Sequence, residues 1–103
     1  MSLTMVQSAP HLDRFLHAIA DPTRRRILVA LKEKGGCSLD KATGLCAGDI
    51  EQRVKLAQPT ISHHMRILEK SGLVAAQREG HWRWYWRNEK LIAEMTRALK
   101  EQL

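Results

Sequence analysis

The sequence predicts a mainly α fold carrying a small β-hairpin, in the order helix, helix, helix, helix, strand, strand, helix. Three observations predict it. Apolar residues recur at helical spacing in five separate stretches, a strict two-residue alternation runs over 81–87, and Gly, Pro, Asp or Ser punctuates the junctions. The 103 residues make room for one domain, 1–103.

The first ten residues lack the basic-then-apolar order of a secretory signal and are expected to form a loose tail. Over His11–Ala20, Leu12, Phe15, Leu16 and Ile19 fall at i, i+3, i+4 and i+7 and give one apolar helix face. Asp21 can cap a second helix whose first turn takes Pro22; Ile27, Leu28 and Leu31 form its stripe and Gly35-Gly36 is expected to end it. The segment from Cys37 to Gly44 reads as a loop. A short helix follows from about Ala47 to Lys55, with Ile50 and Val54 inward, and after the tight connection Leu56-Ala57-Gln58 a stronger helix opens at Pro59 and runs to about Lys70. Ile61, Met65 and Leu68 line its apolar side.

Leu73–Arg78 is extended, Glu79-Gly80 is a turn, and His81–Arg87 alternates. Trp82, Trp84 and Trp86 share one side; His81, Arg83, Tyr85 and Arg87 share the other. The tryptophan side is expected to cover the core, since one face of a hairpin must, rather than to stack single-stranded bases. Asn88 can cap a last helix with Leu91, Ile92, Met95 and Leu99 as its stripe. A short helix, a tight turn, a second helix and a basic hairpin make a winged helix-turn-helix.

Charge points to a partner. The net charge is +6, and between Arg53 and Arg87 seven Lys/Arg stand against two acids, so +5 of it lies in that one third of the chain. A basic excess favours an anionic partner, either nucleic acid or an acidic membrane face, and the winged helix-turn-helix order turns the expectation to double-stranded DNA. The second helix of a helix-turn-helix enters the major groove with its N-terminal half. Here Gln58, Thr60, Ser62, His63 and Arg66 face away from the apolar side: short hydroxyls permit close approach, Gln58 can read an adenine edge and Arg66 a guanine edge. Arg78, His81 and Arg83 surround Gly80 and supply a second contact, along a phosphate ridge or in the minor groove. His64 borders the apolar side and is expected to pack or touch a phosphate.

Three segments carry a resemblance. Ala20–Leu28 with its Asp-Pro-Thr-Arg run, Leu56–Met65 with Gln-Pro-Thr-Ile-Ser-His-His, and Leu68 through Gly72-Leu73-Val74 resemble the ArsR family of bacterial transcriptional repressors, over nearly the whole chain from Leu12. The resemblance implies a homodimer that represses by occupying a promoter operator; the lack of a signal-like start and of a spanning apolar run separately leads to the expectation of a cytoplasmic chain. It implies a dimer interface from the first and last helices, here Leu12, Phe15, Leu16, Ile19, Leu91, Ile92, Met95 and Leu99. Many members sense metals or metalloids. At the Cys-x-Cys position of the arsenic-type site this chain has Cys46 followed by Gly48, and 88–103 contain neither the His nor the Asp of the family's other metal site. No cofactor or metal is therefore expected. Cys37 and Cys46 read as reduced thiols, with a thiol-based metal, metalloid or redox sensor that releases DNA as the alternative.

Other function classes fit less well. No phosphate-binding glycine loop or His-Glu-x-x-His occurs, and the adjacent His63-His64 pair points about 100° apart on a helix, so no enzyme is expected. No apolar run approaches the roughly 20 residues that span a bilayer. A scaffold that never touches DNA would leave the +5 segment without a purpose.

Overall fold

The computed structural model describes residues 3–39 and 41–103, with side-chain surroundings from His11 onward. The elements are α1 (Leu3–Ile19), α2 (Pro22–Ala30), β1 (Leu45–Cys46), α3 (Ala47–Val54), α4 (Gln58–Lys70), β2 (Val74–Glu79), β3 (Trp82–Arg87) and α5 (Glu89–Glu101). The helix-turn-helix is α3, a three-residue link and α4; the wing is β2–β3.

The caps form as the sequence predicts. The Asp21 carboxylate accepts from the Arg24 backbone N–H at 3.0 Å, and Asn88 Oδ1 accepts from that of Leu91 at 3.1 Å. Four features differ. Helix α1 begins at Leu3, so the tail expected over 1–10 is helical from that residue; Met5, Gln7 and Ala9 are good helix formers and carry the helix across Pro10. Residues 1 and 2 lie outside the described residues. Helix α2 ends at Ala30, before Gly35, although Leu31 stays buried at its cap. The sheet has a third strand, in the order β1-β3-β2, all antiparallel.

The fourth difference is the face of the hairpin that covers the core. Tyr85 is 7% exposed and pairs with the fully buried Leu45, whereas Trp82 is 55% exposed. The tryptophan side is the outer side. Trp84 and Trp86 stack there at 4.2 Å, Trp84 Nε1 donates to the Thr43 carbonyl at 2.9 Å, and Lys41 sits 5.0 Å over the Trp84 ring. The segment before β1 thus folds back over the middle of the strand. Gly44, at φ +80°, makes this possible, because a Cβ there would collide with the Tyr85 carbonyl and the Trp84 indole nitrogen.

The core behind the site is Ile27, Leu45, Ile50, Ile61, Met65, Leu68 and Leu73, each essentially inaccessible. Arginines close the helix ends around it. Arg24 Nε and Nη2 donate to the carbonyls of Ala18 and His17, and Arg25 to that of Ile19, satisfying the last turn of α1. Arg26 does the same for Val54 at the end of α3, and Arg87 for Leu28 in α2. Carbonyls at a helix C-terminus lack backbone donors and carry partial negative charge, so guanidinium groups suit them. The basic run 24–26 is therefore architectural.

Candidate nucleic-acid interface

Helix α4 is set by its inward side. Ile61, Met65 and Leu68 are buried at helical spacing, which turns Gln58, Thr60, Ser62, His63 and Arg66 outward, all exposed. The turn before it is fixed by Lys55, the one described non-glycine residue with positive φ (58°), which ends α3 in the left-handed conformation. Across the wing, Arg78, His81 and Arg83 are exposed around Gly80, whose φ of 59° makes the turn.

Helix and wing form the two walls of one crevice. Gln58, Ser62, His81 and Arg83 line its upper part with Ala47, Gly48 and Glu51; Ser62, Arg66, Lys70 and Arg83 line its lower part with Glu69 and Tyr85. Five of the eight sequence-predicted DNA contacts therefore share it. Thr60 and His63 are on the same helix but do not line the crevice. Arg78 lies directly opposite Arg83 in the β2–β3 register. Like charges facing each other across two strands repel. Glu69 relieves the repulsion, its carboxylate 2.9 Å from Arg83 Nη2, and in doing so ties the wing to α4. Arg53 is likewise held by Glu33 and Arg87 by Glu89. Among the described residues, Lys55, Arg66, Lys70 and Arg78 have no carboxylate partner, and they carry the unbalanced charge of this region.

His64 has a different role from its neighbour. Its Nδ1 is 3.1 Å from Arg24 Nη1, and a guanidinium can only donate, so Nδ1 accepts and the ring proton is on Nε2. Burial pushes the imidazole's pKa down; Asp21, 4.0 Å away, pulls it up, while Arg24 and His63 push it further down. His64 thus joins α4 to the α1–α2 corner. Neither Asp21 nor Arg24 was linked to α4 by sequence spacing, since the contact spans 40 positions.

The two cysteines are both buried. Cys46 stands at the N-cap of α3 and its Sγ donates to Asp49 Oδ2 at 3.0 Å. The same oxygen accepts from the Cys46 and Ser38 backbone N–H groups and from the Ser38 hydroxyl. Burial opposes charge on Asp49, but these donors outweigh it and hold the carboxyl below its usual value. Cys37 Sγ accepts from the Leu39 N–H at 3.4 Å. Among the described residues no three His, Cys, Asp or Glu side chains stand close enough to hold a metal ion.

The pairing surface expected from α1 and α5 divides in two. Leu12 and Phe15 are buried within the chain's own core; Leu16, Ile19, Leu91, Ile92, Met95 and Leu99 are half-buried at its edge, and α5 has no buried residue at all.

Residues 21–76, the segment from the Asp21 cap through the first residues of β2, match the model of the bacterial regulatory protein arsR family. The chain belongs to the ArsR family. It is 38% identical over 84 residues to the HTH-type transcriptional regulator MJ1325 of Methanocaldococcus jannaschii, covering 82% of this chain and 85% of that one. It is 34% identical over 83 residues to the transcriptional repressor SdpR of Bacillus subtilis, covering 81% and 82%. The crystal structure of NolR from Sinorhizobium fredii superposes with a TM-score of 0.70 at 25% identity, over 98% of this chain and 92% of that one. As an ArsR-family member the chain is a DNA-binding transcription regulator with a winged helix-turn-helix fold, and not an enzyme. No helix among its described residues is long and apolar enough to cross a membrane.

Proposed function

We propose that this ArsR-family regulator is a homodimeric, cytoplasmic repressor that occupies a pseudo-palindromic DNA operator and excludes polymerase. The observation that carries the reading is the crevice between α4 and the wing, whose walls combine hydrogen-bonding side chains (Gln58, Ser62) with cations (Arg66, Arg83). Gln58 and Arg66 supply base contacts, Thr60, Ser62 and His63 shape the approach, and Arg78, His81 and Arg83 hold the flanking backbone. The half-buried stripe of α5 with Leu16 and Ile19 supports a two-fold pair, which sets two α4 helices in successive major grooves roughly 34 Å apart.

Selection of bound duplexes from a random pool, with and without zinc, arsenite and an oxidant, tests this directly. A palindrome with half-sites about one turn apart is the expected product; recovery of no consensus overturns sequence-specific repression. A second reading rests on Cys46: attack on its thiol would remove one of four donors to Asp49 and unseat the first turn of α3. A different yield in the arsenite or oxidant arm, lost on Cys46→Ser, is the outcome that selects it.

A further inference from the structure

From its place in the fold, we infer that Trp82 is an uncharged anchor for duplex DNA, packing its indole against the sugar edge of the groove beneath the wing. The inference rests on the DNA-binding reading above and adds a contact of a different chemical kind.

The three wing tryptophans share a sheet side but not an environment. Trp84 and Trp86 are accounted for inside the chain by their mutual stacking, the Thr43 hydrogen bond and the Lys41 cover. Trp82 has none of these. Its register partner is Glu79, at the turn, and Glu79 is drawn away to Lys41. Among the described residues the Trp82 indole makes no hydrogen bond and no ring stack, and Trp82 is one of only three large apolar residues that stand exposed. A single exposed apolar side chain is common on a protein surface and marks nothing by itself; what distinguishes Trp82 is where it stands.

Its position says what docks. Trp82 borders the upper crevice together with Gln58, Ser62, His81 and Arg83. A duplex lying on those residues meets the indole as well. Trp82 stands between His81 and Arg83 in the chain, so an imidazole and a guanidinium able to meet phosphates lie next to a flat apolar plate. Apolar side chains at such positions press on sugars or wedge against base steps, a contact that carries no counterion release.

The test separates this contact from an ionic one and from failure of the wider reading. A duplex selected from a random pool by the unaltered protein is titrated at several salt concentrations with wild type, Trp82→Ala and Arg78→Ala. Trp82→Ala is expected to lose about tenfold in affinity, the scale of one aromatic contact to nucleic acid, by the same factor at every salt concentration. Arg78→Ala is expected to flatten the log–log salt slope by about one. A Trp84→Phe/Trp86→Phe variant leaves Trp82 as the only indole, and its emission is expected to change on adding the duplex. Should that variant not fold, the difference spectrum between wild type and Trp82→Phe reads the same event. Wild-type affinity of Trp82→Ala, unchanged indole emission, or tighter binding of the separated strands than of the duplex would each overturn the anchor. If wild type itself ignores DNA, the DNA-binding reading falls instead.

Discussion

His64 is a histidine whose neutrality is built into the fold. Arg24 offers it an N–H at 3.1 Å, and a protonated ring would turn donor against donor. Burial, the first cause, outweighs the upward pull of Asp21 and, with Arg24 and His63, keeps its pKa below the ordinary 6.5. In the unfolded chain the ring takes up a proton near that ordinary value, so between it and the lowered folded value the unfolded state binds more protons. The stabilisation is complete above about pH 6.5 and drains away as pH falls toward the folded pKa. Thermal melts at descending pH are expected to show the loss, and His64→Gln, whose amide oxygen can still accept from Arg24, is expected to flatten it; an equal pH response in the variant would refute the assignment. Arg66 is the opposite case, exposed and, among the described residues, without a carboxylate partner. Arg66→Ala is expected to cost about 1–3 kcal/mol on operator and much less on random duplex, as measured by paired titrations, because a bidentate guanine contact is what distinguishes the two.

Between elements, the Arg83–Glu69 pair joins the wing to α4, and in the proposed complex it competes with DNA for the same guanidinium. Glu69→Gln is expected to tighten DNA binding and steepen its salt dependence by about one, by releasing Arg83 to a phosphate. A weaker complex would show that the pair is needed to hold the wing in place. Much of this level was legible beforehand. Asp21-Pro22, Pro59 and Asn88 marked helix starts, and Ile61, Met65 and Leu68 fixed which side of α4 faces outward. The alternation over 81–87 gave the strand but not its inner side, because periodicity is blind to which half is buried. Bulk favoured the tryptophans; the outcome was set by Leu45, which pairs with Tyr85, and by the Thr43–Gly44 backbone that closes over Trp84. A strand as short as β1 leaves no period to detect. The Arg24–His64 and Arg83–Glu69 links were equally invisible, since each depends on packing between distant segments.

At the level of the whole molecule, the apolar residues of α1 and α5 separate into those that hold one chain together and those at its edge. Leu12→Ala is expected to lower the stability of the fold by about 2–5 kcal/mol in denaturant melts while leaving stoichiometry alone. Met95→Glu is expected to do the reverse: light scattering should report single chains with intact helical dichroism, and operator affinity should fall because the two half-sites are no longer linked. A Met95→Glu protein that remains paired would place the seam elsewhere. The arginine that closes the end of α1 gives this arrangement a mechanical property. Arg24 grips the final carbonyls of α1 with two of its nitrogens and the middle of α4 with the third, one residue before Met65. In the proposed pair, a tilt of α1 against its twin would pull on α4 through this one guanidinium, so the way two copies embrace and the way each addresses a groove would be linked settings.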